Sequence, residues 1–214
     1  MKNIAIFGAG GFGREVKTII DAINQDKPET YNFLGFFDDS VEKGEIVNGY
    51  PILGGIKELN NYKEELFLAI SIGDPKIKKN ILDKITNKNI KYPILIHPRA
   101  SVSQDEVNIG KGTIICEGTI ITCNITIGKF VIFNLSCTVG HDTTIHDYSA
   151  FMPAVNISGE VEIGENVYVG TGAKIINQLK IEENTIVGAG AVVSKSLPAN
   201  CTAVGIPAKP IKFH

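Results

Sequence analysis

The sequence predicts a two-part fold: a small α/β domain with a Rossmann-like parallel sheet, followed by an all-β parallel β-helix. The first observation is a row of aliphatic or aromatic residues at every sixth position from Ile109 to Val193, without a polar interruption. A fixed six-residue period is typical of a β-helix, because no single coil can bury its own apolar row and successive coils must stack. The second observation is a short aliphatic strand near the N-terminus that runs into a glycine-rich turn and an amphipathic helix.

Two further positions of the hexapeptide support the β-helix. The position two residues before the periodic residue is small or apolar at Val131, Cys137, Val155, Val161, Val167, Ala173, Leu179 and Ala191. Glycine follows the periodic residue where we expect a tight corner that a Cβ would obstruct, at Gly110, Gly128, Gly140, Gly164, Gly170 and Gly188. Three hexapeptides make one coil, so residues eighteen apart are expected to stack. The phase slips by one residue between Val102 and Ile109.

The composition narrows the classes of function. The 214 residues carry 21 basic and 23 acidic side chains, a formal charge of -2, which gives no support for a nucleic-acid or membrane surface as main partner. The first residues lack the apolar segment of a signal peptide, and no stretch approaches the roughly 18 apolar residues of a membrane span. We therefore expect a cytoplasmic protein without membrane insertion. The four cysteines form neither a C-x-x-C pair nor a disulfide framework and are expected to be structural.

The first domain, placed at residues 1–96, carries a candidate nucleotide site. Its glycine turn has the G-x-G-x-x-G spacing in which glycines let the backbone approach a phosphate at a helix N-terminus. A second strand ends on an acid pair, where a dinucleotide fold carries its ribose-binding acid, and a third apolar strand ends at the same carboxyl edge. The predicted substrate residues at that edge are Gly10, Gly13, Arg14, Asp38, Asp39, Gly73 and Asp74.

The alternative for this domain is a tight strand-to-helix turn that binds no ligand. A dehydrogenase is disfavoured, because roughly 95 residues supply only half of the doubled mononucleotide unit and leave no second half to hold a nicotinamide. A nucleotide monophosphate or a nucleotide-linked sugar fits the size of the domain better.

The second domain, residues 97–214 with a C-terminal tail, carries a candidate general base. His141 is third in its hexapeptide, so its side chain should point away from the interior of the prism. Its stacking neighbour, eighteen residues on, is Gly159, which should leave a notch beside the imidazole. The adjacent Asp142 could orient the ring and support the imidazolium. The alternative is a solvated surface histidine.

Motifs along the whole chain resemble those of the hexapeptide-repeat sugar acetyltransferases and occur in the order seen in that family. They are Gly8 to Glu15 (GAGGFGRE), Phe36 to Asp39, Ser71 to Asp74, Asn134 with Gly140 to Asp142, Ser158 with Gly159, Gly188 to Val193, and Val204 to Pro210. The family includes the sialic acid O-acetyltransferases and the N-acetyltransferases of nucleotide-linked 4-amino-sugars used for bacterial glycans.

This resemblance implies a left-handed β-helix, a homotrimer and acetyl-CoA as the acyl donor. It implies that His141 is the general base with Asp142 as its acidic neighbour, and that Asn134 takes part in substrate binding. The nucleotide-linked sugar is expected in the N-terminal domain, and acetyl-CoA along the β-helix between subunits. The expected cofactor-binding residues are Gly159, Ala189, Pro207 and Lys209.

The chain departs from the family at two positions. Ala150 stands nine residues beyond His141, where relatives often carry a second histidine near the cofactor. Phe12 stands in the glycine turn where some relatives have histidine. These departures bear on cofactor and sugar contacts and leave the expected reaction class unchanged.

The sequence therefore favours direct acetyl transfer from acetyl-CoA to an amino group of a nucleotide-linked sugar for bacterial surface glycans, without a metal. It does not separate an amine from a hydroxyl acceptor, so a sialic acid-type O-acetyltransferase stays an alternative. A zinc-dependent carbonic anhydrase of the γ type is a remote one, since His141 and His146 stand five apart as two of its ligands do. A catalytic zinc needs three protein ligands, and no third histidine occupies a neighbouring coil position. A non-catalytic scaffold is the last alternative.

Overall fold

The computed structural model describes residues 1–214, which divide into two compact units, Met1–Pro98 and Arg99–His214. The first unit is an α/β domain with a Rossmann-like sheet and the second is a parallel β-helix of about nine turns, so both predicted fold classes are confirmed. None of the helices is long and apolar enough to cross a membrane.

The first unit contains three helices and a six-stranded sheet. Its elements are β1 (Lys2–Phe7), α1 (Gly11–Asp26), β2 (Tyr31–Phe37), β3 (Ile46–Val47), β4 (Tyr50–Gly54), α2 (Ile56–Asn60), β5 (Leu66–Ile70), α3 (Pro75–Lys84), β6 (Ile90–Lys91) and, beyond the sheet, β7 (Leu95–Ile96). The strand order is β3-β4-β2-β1-β5-β6. Neighbouring strands are parallel except for β3 and β4, which are antiparallel at one edge.

Strands β1, β2 and β5 end level with one another. Phe7 at the end of β1 pairs with Phe37 of β2 on one side and with Ile70 of β5 on the other. All three are fully buried, as expected for parallel strands in the centre of a sheet. The glycine turn, the acid pair and the segment after β5 therefore leave the sheet at one carboxyl edge, as the sequence predicted.

Helix α3 buries a lysine side chain and exposes the isoleucine beside it. Ile77 is 53% exposed, whereas Lys78 is only 1% exposed. The start of the helix fixes this phase, because Pro75 packs inward at the first position and the residue three further on lies on the same face. The side chain at that position is Lys78, so its amine is buried while the neighbouring isoleucine faces solvent.

The β-helix has three walls of short parallel strands. Within the second unit, the first wall consists of Ile114–Ile115, Ile132–Phe133, Ala150–Phe151, Tyr168–Val169, Ile186–Val187, Cys201–Val204 and the final antiparallel strand Lys209–Phe213. The second wall consists of Ser101–Val102, Ile120–Ile121, Thr138–Val139, Asn156–Ile157, Lys174–Ile175 and Val192–Val193. The third wall consists of Val107–Ile109, Ile125–Ile127, Thr144–Ile145, Glu162–Ile163 and Lys180–Ile181.

Strand pairing confirms the predicted coil. Val139 pairs with Ile157, eighteen residues on, and both side chains are almost fully buried. Val102 instead pairs with Ile121, nineteen residues on, which is the predicted phase slip. Each buried aliphatic side chain contributes about 1.5–3 kcal/mol relative to its exposed state, so the interior columns hold the coils together.

The corner glycines are required by close approach between coils. A Cβ on Gly140 would lie 2.6 Å from the Gly159 nitrogen, and one on Gly164 would lie 2.5 Å from the Glu183 nitrogen. Neither glycine has a positive φ. The left-handed turn comes two residues later and is made mostly by other residues, such as Asp142 with a φ of 57°. A Cβ would therefore be obstructed at these glycines, as expected, and the obstruction comes from the backbone of the next coil.

Candidate active site

The His141–Asp142 pair lies at the corner between the second and third walls. His141 Nδ1 and Asp142 Oδ2 are 2.7 Å apart, and both side chains are about half exposed. The left-handed φ of Asp142 brings the two consecutive side chains to the same side, which an extended strand would not do. Both backbones are held by the ladder: Asp142 N–H donates to the Cys123 carbonyl at 3.2 Å, and Glu160 N–H donates to the His141 carbonyl at 2.8 Å.

The protonation of the pair follows from these contacts. The hydrogen bond with His141 lowers the pKa of the Asp142 carboxyl, and the amide of Asn124 lowers it further. Asp142 is therefore a carboxylate at neutral pH and can only accept hydrogen bonds. The neutral imidazole must then carry its hydrogen on Nδ1, which leaves the Nε2 lone pair free to accept a proton.

Gly159 leaves the predicted notch beside the imidazole. A Cβ at this position would lie 2.6 Å from His141 Cε1, 2.7 Å from Nε2 and 3.0 Å from Cδ2. Any other residue would push the ring away or cover Nε2. The Gly159 N–H has no hydrogen-bond acceptor within the chain. The open face of the ring and a free backbone donor thus adjoin one another, and they fit a small carbonyl group such as a thioester.

The remaining residues predicted in the β-helix lie on the opposite edge of the second wall. Asn134 follows the first-wall strand that ends at Phe133, and Ala189 follows the one that ends at Val187. Asn134 is nearly buried, and its Oδ1 accepts from Leu135 N–H at 2.7 Å. Within one chain, the width of the wall separates this edge from the His141 corner.

The C-terminal loop packs on that same edge. Ala208 N–H donates to the Val192 carbonyl at 2.8 Å, and Val192 N–H donates to the Gly205 carbonyl at 3.1 Å. Pro207 and Lys209 are exposed on this loop. The predicted cofactor residues therefore form two groups, one beside His141 and one beside the C-terminal loop.

The two key glycines of the N-terminal turn have different surroundings. A Cβ on Gly10 would meet no atom within 4 Å, so this backbone is open to a ligand. A Cβ on Gly13 would lie 1.9 Å from the Gly8 carbonyl oxygen, so Gly13 lets helix α1 pack on the end of β1. Arg14, next along the helix, is exposed.

The acid pair after β2 binds the protein backbone. Ala9 N–H donates to Asp38 Oδ2 at 2.8 Å, which ties the glycine turn to β2, and Ser40 donates to Oδ1 from its N–H and its Oγ. Burial raises the pKa of the Asp38 carboxyl, but these hydrogen bonds outweigh burial and the pKa lies below its usual value. Asp39 Oδ1 accepts from Ile56 N–H at 2.8 Å at the start of α2.

The segment after β5 is also held by internal contacts. Asp74 accepts from Ile77 N–H at 2.9 Å and caps helix α3, while Gly73 beside it is partly exposed. Ser71 is buried and donates to the Phe7 carbonyl at 2.8 Å. Asp74 thus caps the helix through Oδ1, and its predicted role in substrate binding stays a prediction.

A depression of about 250 Å³ adjoins the acid pair. It is lined by Asp38, Asp39, Val41, Lys43, Gly54, Gly55, Lys57 and Glu58. A neighbouring depression of about 650 Å³ shares Lys43 and Glu58 and adds Phe37, Ile52, Leu53 and Tyr62 to its lining. The sequence-based interpretation did not single out Lys43 and Lys57. Lys43 could have been found as a lysine four residues after the acid pair, whereas Lys57 follows the neighbouring strand β4 and carries no such signal.

The geometry gives no support for a zinc enzyme. His146 lies at the next corner, where its Nε2 is 3.5 Å from Glu162 Oε1. No group of three or more His, Cys, Asp or Glu residues is placed to hold a metal ion. None of the four cysteines forms a disulfide, and burial raises the pKa of the Cys137 thiol to about 11, so this thiol is not a nucleophile at neutral pH.

Comparisons with known proteins cover both units. Residues 3–85 match the PglD N-terminal domain family, and residues 160–195 match the bacterial transferase hexapeptide family (six repeats). The chain is 35% identical over 176 residues to a GDP-perosamine N-acetyltransferase from Escherichia coli O157:H7. The aligned residues cover 82% of this chain and 78% of the relative.

Two solved structures are similar over almost the whole chain. The acetyltransferase domain of PglB from Neisseria gonorrhoeae FA1090, in complex with acetyl coenzyme A, has a TM-score of 0.87 and 30% identity, and covers 98% of this chain and 99% of that one. PerB from Caulobacter crescentus, in complex with CoA and GDP-perosamine, has a TM-score of 0.87 and 29% identity, and covers 99% of this chain and 98% of that one.

Proposed function

Because this chain belongs to the family of acetyl-CoA-dependent N-acetyltransferases of nucleotide-linked amino sugars, we propose that it transfers an acetyl group to a sugar amine with His141 as the general base. The observation that carries the proposal is the His141–Asp142 pair, in which a 2.7 Å contact at Nδ1 leaves Nε2 free above the notch at Gly159.

The reaction needs one proton to move twice. The sugar amine attacks the thioester carbonyl carbon of acetyl-CoA while His141 Nε2 accepts a proton from the attacking nitrogen. We propose that the Gly159 N–H stabilises the developing oxyanion. Collapse of the tetrahedral species breaks the C–S bond, and the imidazolium returns the proton to the thiolate of CoA. Asp142 stabilises the imidazolium between these steps, and no acyl-enzyme is formed.

The acceptor is proposed to be a nucleotide-linked amino sugar held at the carboxyl edge of the first unit. The open backbone at Gly10 suits phosphate oxygens, and the depression lined by Asp39, Lys43 and Lys57 suits the polar groups of a nucleoside. A similar protein was solved with GDP-perosamine, which is an amino sugar on a nucleoside diphosphate. A nucleotide-linked sugar is activated for glycosyl transfer, so we propose that the product serves surface glycan synthesis.

The active assembly is proposed to be a homotrimer in which each site uses two chains. The base lies on one edge of the second wall, and the Pro207–Lys209 loop lies on the other edge. Because the two edges lie on opposite sides of the wall, we propose that a second copy supplies one of them at each site. Light scattering should give a trimer mass at micromolar concentration, and a fully active monomer would refute this assembly.

The test of the base is His141→Ala, assayed by thiol release from acetyl-CoA across GDP-, UDP- and dTDP-linked amino sugars and free sialic acid. We expect kcat to fall by about 10²–10⁴ with acetyl-CoA affinity nearly unchanged, because the ring acts on a proton and not on the cofactor. Asp142→Asn should lower kcat by a smaller factor than His141→Ala does. A variant that keeps more than half of the wild-type kcat would rule out His141 as base, and turnover of free sialic acid alone would favour the O-acetyltransferase alternative.

A further inference from the structure

A column of four polar residues runs along the corner that carries the base. Asn124, Asp142, Glu160 and Gln178 are spaced eighteen apart, and all have left-handed backbone conformations with φ between 56° and 61°. Asn124 Nδ2 donates to Asp142 Oδ1 at 3.1 Å, and Gln178 Nε2 donates to Glu160 Oε2 at 3.1 Å. Two acids thus occupy the middle coils, and an amide on the outer side pairs with each of them.

The arrangement separates two like charges. Adjacent coils of a parallel sheet are about 4.8 Å apart, so the carboxylates of Asp142 and Glu160 would repel each other at the spacing of their backbones. Each carboxylate is instead drawn toward the amide on its far side. For Asp142 this leaves both oxygens engaged, with Oδ2 on His141 and Oδ1 on Asn124.

We propose that Asn124 is a positioning residue for acetyl transfer. Its amide fixes the Asp142 carboxylate in the orientation that keeps the hydrogen on His141 Nδ1 and leaves Nε2 as the base. Asn124 acts only through Asp142. The inference deepens the proposed function and rests on His141 being the base.

Because Asn124 and Gln178 have left-handed backbone conformations, the variants that test the positioning role must tolerate a positive φ. Asn124→Gly removes the amide at a position where glycine adopts the required φ without strain. Asn124→Asp keeps the shape but replaces the donor with a carboxylate that repels Asp142. Gln178→Gly is the matched control, because it removes the same kind of amide-to-carboxylate contact from the same column, two coils away from the base.

The first readout is steady-state kinetics on the full-length protein. We expect Asn124→Gly to lower kcat by about tenfold with the KM of both substrates within about twofold, because loss of orientation affects the proton transfer and not binding. Asn124→Asp should lower kcat further and move the acid limb of the kcat–pH profile to higher pH, since a second carboxylate favours the imidazolium. Gln178→Gly should match the wild type in kcat and in pH profile.

The second readout does not need activity. The chain has four histidines, so nitrogen-15 spectra of labelled protein can resolve the tautomer of each ring. In wild type and Gln178→Gly, His141 should carry its hydrogen on Nδ1, and in the Asn124 variants part of the population should move to Nε2.

The outcomes separate the two proposals. If His141→Ala is inactive while both Asn124 variants match Gln178→Gly in kinetics and spectra, the positioning role is overturned and the base assignment stands. If His141→Ala is fully active, the base assignment fails, and the tautomer spectra still decide whether Asn124 holds the pair. An equal loss of kcat in Asn124→Gly and Gln178→Gly would show a general effect of the column and would overturn the specific role.

Discussion

Replacing Gly13 or Gly10 of the N-terminal turn by alanine should have opposite effects: the first change should lower stability, and the second should weaken ligand binding. In Gly13→Ala the new Cβ would lie 1.9 Å from the Gly8 carbonyl oxygen, whereas ordinary van der Waals contacts begin near 3.4 Å. The backbone of α1 or β1 would have to move by about 1.5 Å, the difference between these distances. Overpacking of this kind costs about 1–3 kcal/mol and sometimes more.

The higher helix propensity of alanine opposes the clash at residue 13 but is the smaller of the two effects. Alanine is a better helix former than glycine by about 0.5–1 kcal/mol, and the lower value applies to Gly13 because it is only the third residue of α1. The clash should prevail, because it involves the backbone of β1 and cannot be relieved by a side-chain rotation. We expect a net loss of about 0.5–2.5 kcal/mol, visible as a lower urea midpoint by circular dichroism.

Gly10→Ala is the matched variant. Its Cβ would enter open space, so stability should change by no more than about 0.5 kcal/mol. If the turn binds phosphate, the KM of the nucleotide-linked sugar should rise severalfold, while the Kd of acetyl-CoA stays within about twofold, a change of about 0.4 kcal/mol. A Gly13→Ala protein as stable as the wild type would refute the packing argument, and an unchanged acceptor KM in Gly10→Ala would refute the phosphate site.

Three further predictions follow from single contacts. Gly159→Ala should fold normally but lower kcat by about 10²-fold, because its Cβ displaces the His141 ring; an active variant would contradict the notch. Hydrogen bonds outweigh burial and lower the pKa of the Asp38 carboxyl in the folded protein. The wild type should therefore be more stable than Asp38→Asn at neutral pH and should lose that advantage as the pH falls below about 4. Chemical unfolding of both proteins at each pH tests this. Burial lowers the pKa of Lys78 to about 7, and its Nζ has no hydrogen-bond partner. Between about pH 7 and 10 the unfolded chain therefore binds more protons than the folded protein does. Wild-type stability should therefore rise over that range, whereas Lys78→Met should melt higher at pH 7 and lack the rise.

The sequence predicted most of the β-helix because its signal is local and repetitive. Once the period is six, the stacking of Gly159 on His141 follows by counting eighteen residues, and the Gly159 position confirms it. The same counting could have placed Asn134 and Ala189 on the other edge of the wall, since they follow first-wall strands while His141 follows a second-wall strand. Motif order alone gave no information about edges.

The N-terminal site was less predictable because one residue type serves several purposes. Gly10 and Gly13 belong to the same motif, yet one faces open space and the other packs against Gly8. Asp38 and Asp74 are acids at a carboxyl edge, and backbone N–H groups already occupy them. Side-chain distances, and not spacing along the chain, decide between these roles.

The left-handed corner that joins His141 to Asp142 has a consequence for how such enzymes arise. The proposed acid–base pair is made of consecutive residues, so its geometry is set by one turn of backbone and not by packing between distant segments. The same turn recurs every six residues, at Ser136, Asp142, Tyr148 and onward. Each corner could thus carry a pair of consecutive side chains with the same geometry. The His141 corner differs from the others because Gly159, on the next coil, has no side chain to cover the ring. New activities on such a scaffold can appear through a few point substitutions, without any change in the course of the chain.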